Sequence, residues 1–382
     1  MVSPDNGTRT LRATLIVRKE YAETVRSRIL EEHLFDPQRS IGRDDLRVYF
    51  PLAAGSETRL EEIIPEILRI DPEARSTRET SLTIERAHPV KPYDLIRSRA
   101  SGFLGPGEQG LLPERWEMLG DCLILKGIET LGAHMIDVAR VYQSVLGARY
   151  TLLDEGGISG ELRLPGTRVL IPPADGKFEV EHVENSIDFV LDPREVMFSS
   201  GNVDERMRIP TIVNKGHLPP GLEKDHTKGE VVLDMFAGIG YFTLPIAFHC
   251  NVHKVLAIEK NPVSYGFLRK NVLVNRVEEK VICILGDNRR VEVPSVADRI
   301  VMGYVGGTLK FLPRALEISA PEGCLVHLHD TVPVETGREG LWEEAISIIE
   351  EAGNRGKLLS GRRVKSFAPR IDHVVLDIRI TP

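Results

Sequence analysis

Cysteine is scarce and scattered: Cys122, Cys250, Cys283 and Cys324 lie singly along 382 positions, so neither a disulfide framework nor a Cys-x-x-Cys metal site is visible. Long apolar runs are missing as well. No stretch approaches the roughly 18 residues of a membrane span, and the polar start Met1-Val-Ser-Pro-Asp-Asn-Gly7 has no signal-peptide pattern. The expectation is a soluble cytoplasmic protein without a membrane partner. There is no excess of positive charge: a net charge of −7 argues against nonspecific coating of nucleic acid. One local exception is the stretch from Arg355 to Arg370, which holds Arg355, Lys357, Arg362, Arg363, Lys365 and Arg370 with no acid among them. It reads either as a basic surface or as a solvated face. Repeats and low-complexity tracts are lacking too, which excludes solenoids and disordered arrays. What remains is globular material, 42% apolar and 27% charged, long enough for two or three domains.

Residues 1–90 read as a small α/β domain. Strand-like Leu11 to Val17 is followed by an amphipathic helix from Tyr21 to Glu32, a strand from Leu46 to Pro51, a helix from Leu60 to Leu68 and a strand from Ser81 to Ile84. Pro89, Pro92, Gly102, Gly105, Pro106, Gly107 and Gly110 then cluster, and residues 91–111 are expected to form a linker. Residues 112–195 read as a mostly β module: a strand segment from Trp116 to Leu125, a helix from Met135 to Leu146, a strand from Tyr150 to Leu153, then short β runs broken by Pro165-Gly166 and Pro172-Pro173. In 196–382 strands and helices alternate beyond 229, as in a doubly wound parallel sheet, with His373 to Ile380 as a closing strand of antiparallel edge type.

The centre of that last region is Val231-Val-Leu-Asp-Met-Phe-Ala-Gly-Ile-Gly240, an apolar strand entering a glycine turn before a helix. Gly238 and Gly240 permit positive φ and close approach of bare backbone to a nucleotide. The third small residue of GxGxxG is missing, since the turn continues Tyr241-Phe-Thr243, and this points away from a dinucleotide. A second strand ends at Glu259, a carboxylate suited to a ribose diol. A third ends at Asp287-Asn288, a polar pair suited to an adenine edge. The three strand ends together are characteristic of S-adenosylmethionine (SAM) enzymes.

The segment after the fourth strand bears on which group is transferred. It reads Met302-Gly303-Tyr304-Val-Gly-Gly-Thr308, without the Asn/Asp-Pro-Pro-Tyr element by which amino-methyltransferases hold an amine. Either Gly303 and Gly306-Gly307 leave open space beside a stacking Tyr304, or this is a glycine loop with a packed tyrosine. Upstream, Glu205 and Arg206 on a helix would be splayed by about 100°. One can then face the acceptor while the other meets a methionine carboxylate, or both belong to a solvated face. His327 and His329 share one strand face and read as core or pocket-lining residues in preference to metal ligands; no metal is expected.

The order Phe198-Ser199…Glu205-Arg206, Asp234-Met-Phe-Ala-Gly-Ile-Gly240, Ile258-Glu-Lys-Asn-Pro262, Asp287-Asn-Arg289 and Met302-Gly-Tyr304 resembles the class I tRNA guanosine-37 modification group over nearly the whole chain. That group contains the tRNA (guanine-37-N1)-methyltransferase and the wybutosine-synthesizing aminocarboxypropyltransferase. The methyltransferase carries Asn-Leu-Pro where this chain has Gly303-Tyr304-Val305, and a tyrosine where it has Met197; both departures favour the aminocarboxypropyl branch. The resemblance implies a Rossmann-like class I SAM-dependent transferase fold, α/β, with smaller N-terminal α/β and β-rich modules. It also implies transfer of the 3-amino-3-carboxypropyl group from SAM to 4-demethylwyosine at position 37 of tRNA-Phe, with methylthioadenosine released, in an archaeal or eukaryotic cytoplasm.

By the same match, Asp234, Phe236, Ala237, Gly238 and Gly240 border the cofactor with Lys260 and Gly303 nearby. Glu259 holds the ribose, Asp287 and Asn288 the adenine, and Phe198, Ser199 and Arg206 surround the methionine end. Glu205 as base, Arg163 against developing charge, and Tyr304 are the inherited catalytic candidates. The N-terminal unit resembles, more weakly, the domain by which the methyltransferase branch grips the outer corner of tRNA. The competing readings are a guanosine-37 methyltransferase and a noncatalytic tRNA-binding protein with a SAM pocket.

Overall fold

Apolar residues alternating in short strands, with two amphipathic helices, build the unit Met1–Lys91. The computed structural model describes residues 13–77, 91–214 and 229–382; the expected strand Ser81 to Ile84 lies outside them. Strands β1 (Thr14–Arg18), β2 (Gly42–Arg43), β3 (Arg47–Pro51) and β4 (Arg75–Thr77) form an antiparallel sheet in the order β2-β3-β1-β4. Leu15, Val17 and Phe50 pack with Val25 and Ile29 of α1 (Ala22–Glu31) and with Ile63 and Ile67 of α2 (Glu57–Ile70).

Pro92–Pro382 is the second unit. The expected linker at 91–111 is instead mostly helical, with α3 (Pro92–Ala100) and α4 (Pro106–Gln109). Pro92 and Pro106 occupy first helical positions, where the missing N–H costs nothing, and Gly105 and Gly110 flank α4; the clustered Pro and Gly are helix punctuation. Ile96 and Ala100 are fully buried against Leu123, Val138 and Tyr142. Next come β5 (Glu117–Leu119), β6 (Cys122–Leu125), α5 (Met135–Leu146), β7 (Tyr150–Ser159) and β8 (Leu164–Ile171), with the strands in one sheet. Pro165-Gly166 does not break that run but lies inside β8, beyond a register shift between Asp154 and Ile158.

No break in packing occurs at 195. The hairpin β9 (Val180–Glu184) and β10 (Ile187–Leu191) shares one core with the catalytic sheet, Phe189 and Leu191 clustering with Ala237, Leu244 and Leu268. Two asparagines at the end of a helix that packs on that sheet, Asn271 within it and Asn275 as its C-cap, accept the hairpin's amides, Asn271 Oδ1 from Val190 at 2.8 Å and Asn275 Oδ1 from Asp188 at 2.9 Å.

The sheet itself runs β13-β12-β11-β14-β15-β17-β16, from β11 (Glu230–Asp234), β12 (Val252–Glu259), β13 (Val281–Leu285), β14 (Arg299–Met302), β15 (Cys324–Pro333), β16 (Arg355–Ala368) and β17 (Ile371–Thr381). The first five are mutually parallel, and β17 runs antiparallel to both of its neighbours, β15 and β16. Helices α6 (Val203–Asn214), α7 (Thr243–His249), α8 (Pro262–Val274), α9 (Leu312–Glu317) and α10 (Gly337–Glu351) complete the unit. The closing strand is not at the edge: β17 lies between β15 and β16. Its run Val374-Val-Leu-Asp-Ile378 is buried on both faces, as suits an inner strand, whereas the basic residues of β16 suit an edge.

Candidate functional site

The carboxyl ends of β11, β12, β13 and β14 open onto a cavity of about 430 Å³, the position where open α/β sheets bind ligands. Gly238, at φ +57°, donates its amide to Glu259 Oε2 at 2.7 Å, and Glu259 Oε1 accepts from Asn261 N–H at 2.6 Å. A Cβ at Gly238 would stand 2.7 Å from the Tyr241 ring, so the backbone itself forms this wall. Burial pushes the Glu259 carboxyl up. Asn288 Nδ2 donates to the Met235 carbonyl at 2.9 Å, which leaves Oδ1 buried and, among the described residues, without a hydrogen-bond partner. Such an acceptor fits a donor on the ligand, and an adenine amine supplies one. Asp287 is held well below the usual carboxylate range by Arg289 at 2.8 Å, with Lys260 at 3.1 Å.

At the end of β14 the glycine loop leaves space beside Gly306 and Gly307 but is tight at Gly303, and its backbone is tied down. Asp330 of β15 gathers it: Oδ1 accepts the amides of Gly306 at 3.1 Å and Gly307 at 2.7 Å, and Oδ2 that of Leu309 at 2.9 Å. Arg163, reaching from just before β8, donates to the carbonyls of Tyr304 and Val305, its guanidinium 4.5 Å from the Tyr304 ring. Tyr304 also packs at 5.2 Å against Phe236, which meets Phe311 at 5.0 Å. These three aromatic residues line the cavity and offer it apolar faces for a planar ring.

Of the residues expected from sequence, Ser199, Arg206, Phe236, Gly238, Glu259, Lys260, Asp287, Asn288, Gly303, Arg163 and Tyr304 line this cavity. Five others stand behind its wall. Asp234 points into its own turn, accepting from Phe236 N–H at 3.2 Å and Thr243 Oγ at 2.8 Å, and burial raises its pKa to about 6. Ala237 is fully buried, its amide on the Ile258 carbonyl at 2.9 Å, and a Cβ at Gly240 would meet Leu244 at 2.6 Å. Phe198 packs edge-on against His182, Phe189 and Tyr241. Glu205 is fully buried, bonded to Arg208 at 2.7 Å and paired with Arg362.

Arg206 reaches the cavity wall, but its fork is occupied. Both prongs grip Glu184, and Nη1 donates to the Ser199 carbonyl at 2.8 Å, so a methionine carboxylate is not its partner here. His327 Nε2 accepts from Arg299 Nη1 at 2.8 Å, and its Nδ1 donates to Asp377 Oδ1 at 2.6 Å, inside the sheet. Sequence reasoning missed Asn202, Phe242, Lys365, Phe367 and His373 as site residues; they line the cavity from the turn before α6, the N-cap of α7 and the β16–β17 hairpin. Their only sequence signal was the in-and-out alternation of Lys365, Phe367 and His373 along two strands.

Comparison with known proteins agrees with this geometry. Residues 180–357 match the TRM5/TYW2 methyltransferase domain, 14–61 the tRNA methyltransferase 5 N-terminal domain, and 96–172 the TYW2 N-terminal domain. The tRNA(Phe) (4-demethylwyosine(37)-C(7)) aminocarboxypropyltransferase of Pyrococcus horikoshii is 39% identical over 77% of this chain and 99% of its own length. The crystal structure of P. horikoshii TYW2 with MeSAdo superposes with a TM-score of 0.65 at 35% identity, covering 76% of this chain and 99% of that one. Trm5b of Pyrococcus abyssi shares the fold over 97% of this chain and 99% of its own, with a TM-score of 0.65 at 24% identity. No helix of the described residues is long and apolar enough to cross a membrane. The chain belongs to the TRM5/TYW2 family of SAM-dependent tRNA-modifying transferases, on its aminocarboxypropyltransferase branch.

Proposed function

We propose that this protein transfers the 3-amino-3-carboxypropyl group of SAM to 4-demethylwyosine at position 37 of tRNA-Phe and releases methylthioadenosine. SAM bound in the cavity supplies an electrophilic carbon attached to its sulfonium. Asn288 Oδ1 takes the adenine amine, Glu259 the ribose hydroxyls, and the Gly238 backbone lets the nucleoside lie close. Asp287, Lys260 and Arg289 close the adenine end as a charged rim, and Phe236, Tyr304 and Phe311 supply ring faces. Arg163 fixes Tyr304 through the loop carbonyls. Positioning is the main catalytic device, because an electron-rich ring carbon and an alkyl sulfonium react once aligned.

One observation favours this reading over N1-methylation of guanosine. The Asp330 carboxylate beside the glycine loop is engaged by loop amides, and the Tyr304 and Val305 carbonyls by Arg163. The loop therefore presents no amide or carboxylate side chain to a base N–H, which a nitrogen acceptor needs and a carbon acceptor does not. The N-terminal unit, matching the tRNA methyltransferase 5 N-terminal domain, is read as a tRNA grip. The decisive experiment incubates the protein with tRNA-Phe carrying 4-demethylwyosine and SAM labelled on either the methyl or the aminobutyrate carbons. Label entering tRNA only from the aminobutyrate chain, with methylthioadenosine as by-product, is the expected result. Methyl label in tRNA with adenosylhomocysteine would assign the protein to methylation.

A further inference from the structure

Behind the cavity wall, two imidazoles and a carboxylate stand in a row. His373 of β17 lines the cavity, and its Nε2 lies 3.2 Å from Nδ1 of His329 on β15. His329 Nε2 in turn lies 3.9 Å from Oε1 of Glu205 on α6. All three side chains are buried, and the Phe242 ring 5.2 Å from His329 limits its rotation. Among the described residues, the far nitrogen of His373, Nδ1, has no hydrogen-bond partner, and neither has His329 Nε2, which meets Glu205 at ion-pair distance only.

The end of the row sets the tautomers. Glu205, paired with Arg208 and Arg362, turns its carboxyl oxygen toward His329 Nε2, and an acceptor there favours a proton on that nitrogen. His329 Nδ1 is then an acceptor, so His373 carries its proton on Nε2, and the lone pair is on its buried Nδ1, on the side away from His329.

We propose that His373 is the group that removes the ring proton of the acceptor base, with His329 and Glu205 as positioning residues that hold it in the accepting tautomer. The inference rests on the transferase reading above. As the new carbon–carbon bond forms, the sulfur–carbon bond breaks and its electron pair stays on sulfur. The C–H pair of the acceptor carbon then returns to the ring, and the proton passes to His373 Nδ1. The imidazolium formed shares its charge along the row toward Glu205, 3.9 Å beyond His329.

The surroundings keep His373 unprotonated, and make it a weaker base than a free imidazole. Burial, with Lys365 and Arg362 of β16 close by, lowers its pKa to about 4, against an opposing pull from Asp330 of β15; the imidazole is neutral at neutral pH. His329 is likewise held neutral by burial and by its histidine neighbours. Glu205 of α6 supplies the negative end of the same cluster.

The test has two arms. Nitrogen-15 spectra of the labelled imidazoles in the unliganded wild-type protein between pH 6 and 8 should show His373 neutral and protonated on Nε2; an Nδ1–H tautomer, or a charged ring, overturns the proposal. In the second arm, His373→Asn should lower the single-turnover rate of aminocarboxypropyl transfer by about 100-fold or more, the usual scale of a lost general base. Its methylthioadenosine affinity should stay within about twofold, because the nucleoside contacts lie elsewhere in the cavity. Transfer within threefold of wild type by the folded variant also overturns it, and if the variant does not fold the spectra decide. The identity of the product made by the wild-type protein tests the functional reading separately.

Discussion

Arg206 and Glu184 form a two-pronged ion pair between α6 and the β9–β10 hairpin, with side-chain exposures of only 1% and 8%. Removing one member of such a pair strands the other charge in a low dielectric, at a cost of about 3–5 kcal/mol. Arg206→Ala should therefore lose that much stability in urea unfolding, with weaker cofactor binding as a consequence of the loosened wall. Replacing both residues with apolar ones of similar volume should recover most of the stability. If Arg206→Ala unfolds like wild type and loses only SAM affinity, the arginine serves the cofactor carboxylate after all.

Asn288 tests the nucleoside end. Its Oδ1 is buried with no partner among the described residues, and its Nδ2 is committed to the Met235 carbonyl, so the amide cannot turn without breaking that bond. Calorimetry should show methylthioadenosine binding about 10-fold weaker to Asn288→Ala, the scale of one buried hydrogen bond. The inosine analogue, with a carbonyl in place of the amine, should lose affinity for wild type and little more for the variant. Equal losses on both proteins would remove Asn288 from adenine recognition.

What sequence made legible, and what it did not, follows from where each signal is carried. Gly238, Glu259 and Asn288 sit at ends of consecutive strands within about fifty residues, and a parallel sheet brings consecutive strand ends together; their convergence could be read from strand order alone. The rest of the wall comes from afar. Arg163 precedes Tyr304 by 141 residues, and Asp330 follows the loop it organises. His373 reaches the site only because β17 is inserted beside β15, a pairing that local pattern does not specify. Charged residues misled most: Glu205 and Arg206 read as ligand groups, yet both are committed to buried partners, because charge marks a residue as needing a partner without naming it. The same ambiguity hid α3 and α4, where proline and glycine at helix ends resemble a linker.

Asp234 should give stability a pH dependence of known sign. Burial raises its folded-state pKa to about 6, above the value of about 4 expected for an unfolded chain. An acid with a raised folded pKa favours the fold while protonated, so its contribution is complete below pH ~4 and is lost as pH rises through ~6, a swing of about 3 kcal/mol. Asp234→Asn removes that titration and shifts the baseline by a pH-independent amount through the altered Thr243 bond. Urea unfolding of the unliganded proteins should show the variant gaining on wild type between pH 4 and 7. A difference that does not change with pH would mean that Asp234 is ionised in the fold without penalty.

The loop after β14 is held in a conformation its own residues do not favour. Val305 sits at φ +59°, where a β-branched side chain is strained by about 1–3 kcal/mol, and Gly306 and Gly307 are also at positive φ. The strain persists because Asp330 accepts the amides of Gly306, Gly307 and Leu309, while Arg163 grips two carbonyls. The two sides can be separated by substitution. Val305→Gly should relieve strain and raise stability by about 1 kcal/mol without moving Tyr304. Asp330→Asn turns one acceptor into a donor facing an amide and removes the charge that strengthens the others. Amide exchange at Gly306 and Gly307 should then accelerate by at least 10-fold while the strands of the sheet keep their protection. Transfer should slow in parallel, because Tyr304 is carried by this loop. Unchanged exchange in Asp330→Asn would place the constraint on Arg163 alone, and Arg163→Ala would then be the variant that frees the loop.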